Sequence, residues 1–181
     1  MDSLRGKLLI ASPALLDDNF ARTVVLIAAH DEDGALGLVL NRPSELLVAD
    51  AVERLAPVCQ EHERLYVGGP VEPGAVMVLA EFDDPSLAAV LIDGDLGLPN
   101  IEADPETLGG GVRRARCFAG HSGWGPGQLD AELAQEAWIV ESLSPEDPWN
   151  EAGAELWRAV LERKGGEYAL VARMPVDPSV N

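Results

Sequence analysis

Thr23-Val24-Val25-Leu26-Ile27-Ala28-Ala29-His30-Asp31-Glu32-Asp33-Gly34-Ala35-Leu36-Gly37-Leu38-Val39-Leu40 reads as strand, turn, strand. The turn chemistry is Asp31-Glu32-Asp33-Gly34, where glycine supplies the positive φ that closes short hairpin loops. The flanking runs are apolar at nearly every position rather than at every second one. A strand of that kind needs cover on both faces, so helices are expected to pack on this sheet.

Working outward, Leu8-Leu9-Ile10-Ala11 is a further short apolar run, ended by Ser12-Pro13. Leu65-Tyr66-Val67, Ala75 to Leu79, Leu87 to Ile92, Arg114 to Ala119, Trp138 to Val140 and Tyr168 to Val171 extend the list of predicted strands. Val48 to Val58 has helical spacing of Val48, Val52, Leu55 and Ala56, and Asp104-Pro105-Glu106 can open a short helix. Asn150 is a candidate cap for a helix with the stripe Leu156, Trp157, Val160 and Leu161, stopped by Gly165-Gly166. Strands and helices interleave without a βαβα rhythm, which predicts an α+β architecture with a mixed sheet. At 181 residues, with no internal repeat or linker, the chain reads as a single domain spanning 1–181.

The 31 acidic and 13 basic residues give a formal charge of −18. No Lys or Arg occurs between Leu65 and Val112, while nine acids do. Affinity for nucleic acid needs cations that displace counterions, so direct nucleic-acid binding is not expected. The dense basic cluster Arg113, Arg114, Arg116 is expected to be a charged sheet edge. No run approaches the ~20 apolar residues of a membrane span, and the apolar stretch after Lys7 is too short for a secretory signal. A cytoplasmic location, no membrane association and free thiols at Cys59 and Cys117 are the expectations.

Gly120-His121-Ser122-Gly123-Trp124-Gly125-Pro126-Gly127-Gln128-Leu129 is the densest glycine segment, predicted to be a tight turn between a strand and a helix. A nucleophile elbow requires Gly-x-Ser-x-Gly, and Trp124 fills the last glycine slot, so Ser122 is not read as a nucleophile. Cys59-x-x-His62 and Cys117-x-x-x-His121 supply zinc-type donors, but far apart in the chain; no metal is expected. Asp93-Gly94-Asp95-Leu96-Gly97 starts like a calcium loop and fails at its sixth and twelfth positions. What remains are polar and glycine-bearing element ends, where backbone N–H groups and side chains can meet a ligand: Asn41-Arg42-Pro43, Gly68-Gly69-Pro70 and the segment around Trp124.

Taken together, these segments resemble the AlgH/YqgE family of bacterial proteins. The resemblance is carried by Gly6 through Pro13, Asp17, Phe20, Arg22, Val24-Val25, His30, Gly34-Ala35 and Gly37 through Pro43. It continues with Tyr66-Val67-Gly68-Gly69-Pro70-Val71, then Gly120, Gly123-Trp124-Gly125, Gly127-Gln128-Leu129, Glu132-Leu133 and Trp138. Thr23 stands where the pattern has Ser, and His121-Ser122 where it has Tyr-Ala. The resemblance implies a single domain with a curled, partly barrel-like mixed sheet packed by helices, in a cytoplasmic, cofactor-free bacterial protein. It also brings a transcriptional-regulator label, which the acidic charge fits only through protein partners rather than DNA.

The leading expectation is a non-catalytic domain binding a small ligand or a protein partner. Its candidate site residues are Arg22, Asn41, Arg42, Gly68, Gly69, Trp124 and Gln128. Arg22 and Arg42 would supply charge in a cation-poor chain, with internal pairing to Asp17 or another acid as the structural alternative. The competing class is a hydrolase or phosphoryl-handling enzyme with His30 or His121 as base.

Overall fold

In the computed structural model, which describes residues 2–60, 62–100 and 102–176, the chain forms a curled α+β sheet. The strands are β1 (Lys7–Ala11), β2 (Val24–Asp31), β3 (Gly34–Val39), β4 (Pro43–Leu47), β5 (Arg64–Val67), β6 (Val71–Phe82), β7 (Ala88–Asp93), β8 (Leu96–Pro99), β9 (Val112–Trp124) and β10 (Trp138–Ser142). Their order is β10-β1-β2-β3-β9-β6-β8-β7, with β5 also on β9 and β4 on β5. The sheet is mixed as predicted: β5 runs parallel to β9 and the other pairs are antiparallel. The helices are α1 (Val48–Ala51), α2 (Pro105–Gly111), α3 (Gln128–Ala134), α4 (Glu155–Lys164) and α5 (Glu167–Val171).

The uninterrupted apolar runs have the meaning expected of them. Leu8, Ile10, Val24, Leu26, Leu38 and Leu40 point to one face, where Leu156, Trp157, Val160 and Leu161 of α4 close the main core. Leu9, Ala11, Val25, Ile27 and Val39 point to the other, covered by Leu129 of α3 with Trp124 and Trp138. Because side chains alternate, a one-residue slip would exchange these two sets between helix partners of different shape, which pins the register. A third cluster, Val48, Leu55, Cys59, Leu65, Val78 and Cys117, covers the face of β6 and β9.

Several local readings are corrected. The glycine-rich segment is strand as far as Trp124, because Ser122, Gly123 and Trp124 find partners in Gly37, Leu36 and Ala35 of β3. Gly120, at φ +68, absorbs the bend inside the strand. There β6 bulges, its pairing jumping from Val71↔His121 to Val76↔Ala119. The turn itself is confined to Gly125–Gly127, and α3 starts after Gly127. Tyr168 to Val171 is not a strand but part of α5: Gly165 and Gly166 (φ +75 and +58) turn the chain back against α4, and a short apolar run does not distinguish the two states.

Val48 to Val58 forms a single α turn and then a 3-10 turn, Glu53–Leu55, not one helix. Asn150 does not cap α4, which begins at Glu155; its Oδ1 accepts from Ala152 N at 2.7 Å. The arginine cluster does not lie on a sheet edge. β9 is interior, with β6 on one side and β3 and β5 on the other.

Cys59 and Cys117 are buried and reduced, their Sγ atoms 3.0 Å apart and sharing a hydrogen bond. That bond, and then burial, push the Cys117 thiol far above its ordinary range. The thiolate is the reactive form, so iodoacetamide should label neither cysteine in the folded protein and both in urea, read by intact mass. Labelling of the native protein would mean that this cluster opens locally.

Candidate functional site

The loop from Ser12 to Thr23 joins β1 to β2 and is built on its own hydrogen bonds. Ala21 N donates to Asp17 O at 2.7 Å, and the Thr23 hydroxyl donates to Phe20 O at 2.7 Å. Thr23 thus keeps the hydroxyl that Ser would bring. The next residue back, Arg22, sits at φ +56, a conformation that costs a residue with a Cβ roughly 1 kcal/mol or more. Asn41, just beyond β3, holds it there: its Nδ2 donates to Arg22 O and its Oδ1 accepts from Val24 N, both at 2.9 Å. Arg42 adds a bond from Nη2 to Ala21 O at 3.2 Å. Burial lowers the Arg42 pKa, against the attraction of Asp17 and Asp18. Arg22, Asn41 and Arg42 therefore do come together, with Asn41 and Arg42 setting the loop and Arg22 carried by it.

The Arg22 guanidinium lies over the Trp157 ring, 4.4 Å from its centroid, and Nη2 donates to Met174 O and Pro175 O at 2.8 and 2.6 Å. Among the described residues it makes no ion pair, so the alternative of internal pairing to Asp17 or another acid is not what is found at Arg22. Burial, and then the nearby charge of Arg158, lower its pKa. Arg22 also lines a cavity of about 300 Å³, together with Ser12, Pro13, Leu15, Leu16, Ala21 and Met174–Val176. Ser12 is only 8% exposed, and its Oγ has no hydrogen-bond partner among the described residues. A buried unpaired hydroxyl costs on the order of 1–3 kcal/mol, so this one requires a reason.

The other candidates serve the framework. Gly68 N donates to Ala119 O, and Gly68 O accepts from Val39 N (both 2.9 Å) and from the Ser122 hydroxyl at 3.1 Å, which stitches β3, β5 and β9. Ser122 is wholly buried in that role. Trp124 Nε1 and Trp138 Nε1 both donate to Glu132 Oε2, at 2.9 and 2.8 Å. Gln128 Nε2 donates to Glu132 Oε1 at 2.9 Å, while its Oε1 accepts from Gly125 N. Glu132 is thus the clip that fixes α3 to two strands. The five main cavities include Arg22 and none of the other six candidates. Sequence reasoning missed Ser12, which stood in the quoted Ser12-Pro13 motif.

His30 Nδ1 accepts from Leu4 N at 3.1 Å, tying down the chain ahead of β1. Among the described residues no three His, Cys, Asp or Glu side chains converge as a metal site. The arginine cluster borders a polar cavity of about 230 Å³ with His62, Glu63 and Glu151, but its charges are committed. Arg113 pairs with Glu81, Asp83 and Asp95, Arg114 with Glu81 and Glu146, and Arg116 with Glu63. No helix among the described residues is long and apolar enough to cross a membrane.

Comparison with known proteins agrees with this architecture. A solved Corynebacterium diphtheriae protein superposes with a TM-score of 0.85 at 28% identity, covering 95% of this chain and 92% of that one. The AlgH protein of Pseudomonas aeruginosa superposes with a TM-score of 0.71 at 30% identity, covering 96% and 95%. A UPF0301 protein of Streptomyces avermitilis is 43% identical over 187 residues, covering 100% of this chain and 97% of its own length. The family model described as AlgH-like matches residues 8–169, and the chain belongs to that family.

Proposed function

We propose that the protein is a non-catalytic binding domain whose site is the pocket between Ser12 and Arg22, taking a small ligand rather than nucleic acid. The observation that carries this reading is a cavity of ligand-binding size whose walls are apolar apart from Ser12 and Arg22, a cation that has no carboxylate partner among the described residues. Of the two candidate bases His30 is engaged by the Leu4 amide, and the nearest thing to an elbow serine is buried against Gly68 O, so neither supports a hydrolytic reading. Regulation by this domain would run through ligand or partner rather than DNA, since the basic cluster is spent on internal ion pairs.

Trp157 lies directly under Arg22, so intrinsic fluorescence titrated with a metabolite panel, followed by product analysis, tests the reading. Binding without turnover is expected, and it should vanish in Ala21→Trp, which fills the pocket. Turnover of a bound compound, or undiminished binding by that variant, would refute the reading.

A further inference from the structure

We propose that the outer edge of β7 takes an extended, cationic segment of a partner protein, which joins the sheet as a further strand beside Ala88–Leu91. This surface is separate from the Arg22 pocket, and the inference goes beyond the ligand reading made for that pocket.

The edge stands open. β7 ends the strand order, with β8 as the strand it pairs with. Among the described residues no backbone group of Ala88–Asp93 makes a hydrogen bond beyond that ladder. The sheet's opposite edge is treated differently. On β10, Lys164 Nζ donates to Val140 O at 2.9 Å and Arg163 Nη2 to Ser142 O at 3.2 Å, so α4 has taken carbonyls of that strand. β4, on the side branch of the sheet, begins with Pro43, which has no N–H to offer, and gives Ser44 O to Arg64 at 3.1 Å. Folded chains blunt their edges with cations and proline because unpaired N–H and C=O groups recruit other strands. The sequence of β7, Ala88-Ala89-Val90-Leu91-Ile92-Asp93, contains neither.

The form of the edge suits one short guest. Ile92 is buried in the main core, while Val90 and Leu91 are each 39% exposed. The strand is therefore preformed, and pairing requires little further ordering on this side. Register shifts on either side of Val90 and Leu91 bulge the strand and raise its twist. That twist opposes flat stacking of many chains but not the addition of a single short strand.

Charge selects the guest. Asp84 caps the 3-10 turn Pro85–Leu87 that leads into β7, and Asp93 ends the strand. Neither has an ion pair among the described residues. No Lys or Arg lies between Leu65 and Val112, and Arg113, the first cation after that stretch, is held by Glu81, Asp83 and Asp95. Antiparallel pairing of β7 with a second copy would bring each Asp93 towards the other's Asp84, in molecules of charge −18, so self-pairing is opposed. A strand with an apolar, β-branched middle and a Lys or Arg at each end meets both acids and covers Val90 and Leu91.

Titration of the full chain with the peptide acetyl-Lys-Val-Thr-Val-Lys-amide tests the proposal, with amide hydrogen exchange locating the contact. Binding is expected with a Kd below about 1 mM in low salt, weakening at least about threefold when the Debye length is halved. Exchange should slow within Ala88–Leu91 and stay unchanged in β4 and β10. N-methylation of both peptide valines, which removes two backbone donors, should weaken binding about tenfold, as should glutamate in place of lysine. Leu91→Lys, at an exposed position, should weaken it about tenfold with the melting temperature held, and Ala21→Trp should leave it unchanged. Equal binding of the methylated or glutamate peptide, slowed exchange anywhere but β7, full binding by Leu91→Lys, or no binding at about 1 mM would each overturn the proposal. So would a β7-paired dimer, seen as slowing of the same amides with rising protein concentration and no peptide. The Arg22 pocket is judged apart from this, because Ala21→Trp reports on the pocket alone.

Discussion

Gly69→Ala is expected to destabilise the protein by about 3 kcal/mol or more, seen as a melting temperature lower by about 10 °C. Gly69 connects β5 to β6 at φ +151, a region that residues with a Cβ rarely enter. A methyl group there would also land on the His121 carbonyl group of β9, a backbone contact that cannot rotate away. Neighbouring Gly68 holds three strands through its peptide groups, so a local shift would strain β3 and β9 together. Gly74→Ala is the control: nothing lies within 4 Å of its added methyl, and a change within about 0.5 kcal/mol is expected. Equal melting of the two variants would show that the β5–β6 corner adapts more freely than its geometry implies.

Arg116→Ala should cost about 3–5 kcal/mol in urea denaturation, and Arg113→Ala far less. The contrast comes from burial, since both arginines are ion-paired. Arg116 is 2% exposed and donates to Glu63 at 3.1 Å, to Pro148 O and Asn150 O at 3.0 and 3.1 Å, and to Trp149 O at 3.5 Å. It also stacks on Tyr66, 4.1 Å from the ring centroid. Removing it strands a largely buried carboxylate and frees the carbonyls of the segment leading towards α4. The Arg113 side chain is 47% exposed, and water can replace its partners. Similar costs for both would place the stabilisation in the charge cluster as a whole rather than in the buried member.

The parts of the fold legible in the sequence were those where local pattern and tertiary demand coincide. Leu8 to Ala11 and Val24 to Ala28 are apolar without alternation because each face meets a different core, and this was readable before any partner was known. The stripe on α4 was equally plain. What was hidden depended on pairing. Leu96-Gly97-Leu98-Pro99 contains two residues poor in strands and becomes β8 because β6 and β7 flank it. Gly120 to Trp124 has turn composition and becomes strand because β3 supplies the ladder.

The candidate site divides along the same line. Arg22 could be picked out because cations are scarce, and Asn41 because it follows a strand. Ser12 could not, because its significance lies in a hydrogen bond left unmade, which no residue pattern encodes. Trp124 and Gln128 drew attention through their setting, and their hydrogen bonds go to Glu132 in the frame of the second core.

The pairing of β1 with β10, Lys7 against Ser142, has a consequence for assembly. The strand synthesised earliest obtains its outer neighbour only after more than a hundred further residues have emerged, and α4, which seals its inner face, comes later still. Until then Leu8 to Ala11 presents a greasy, half-zipped margin to whatever is near. Closing so long a loop is slow, so the nascent chain spends its vulnerable interval with that margin open.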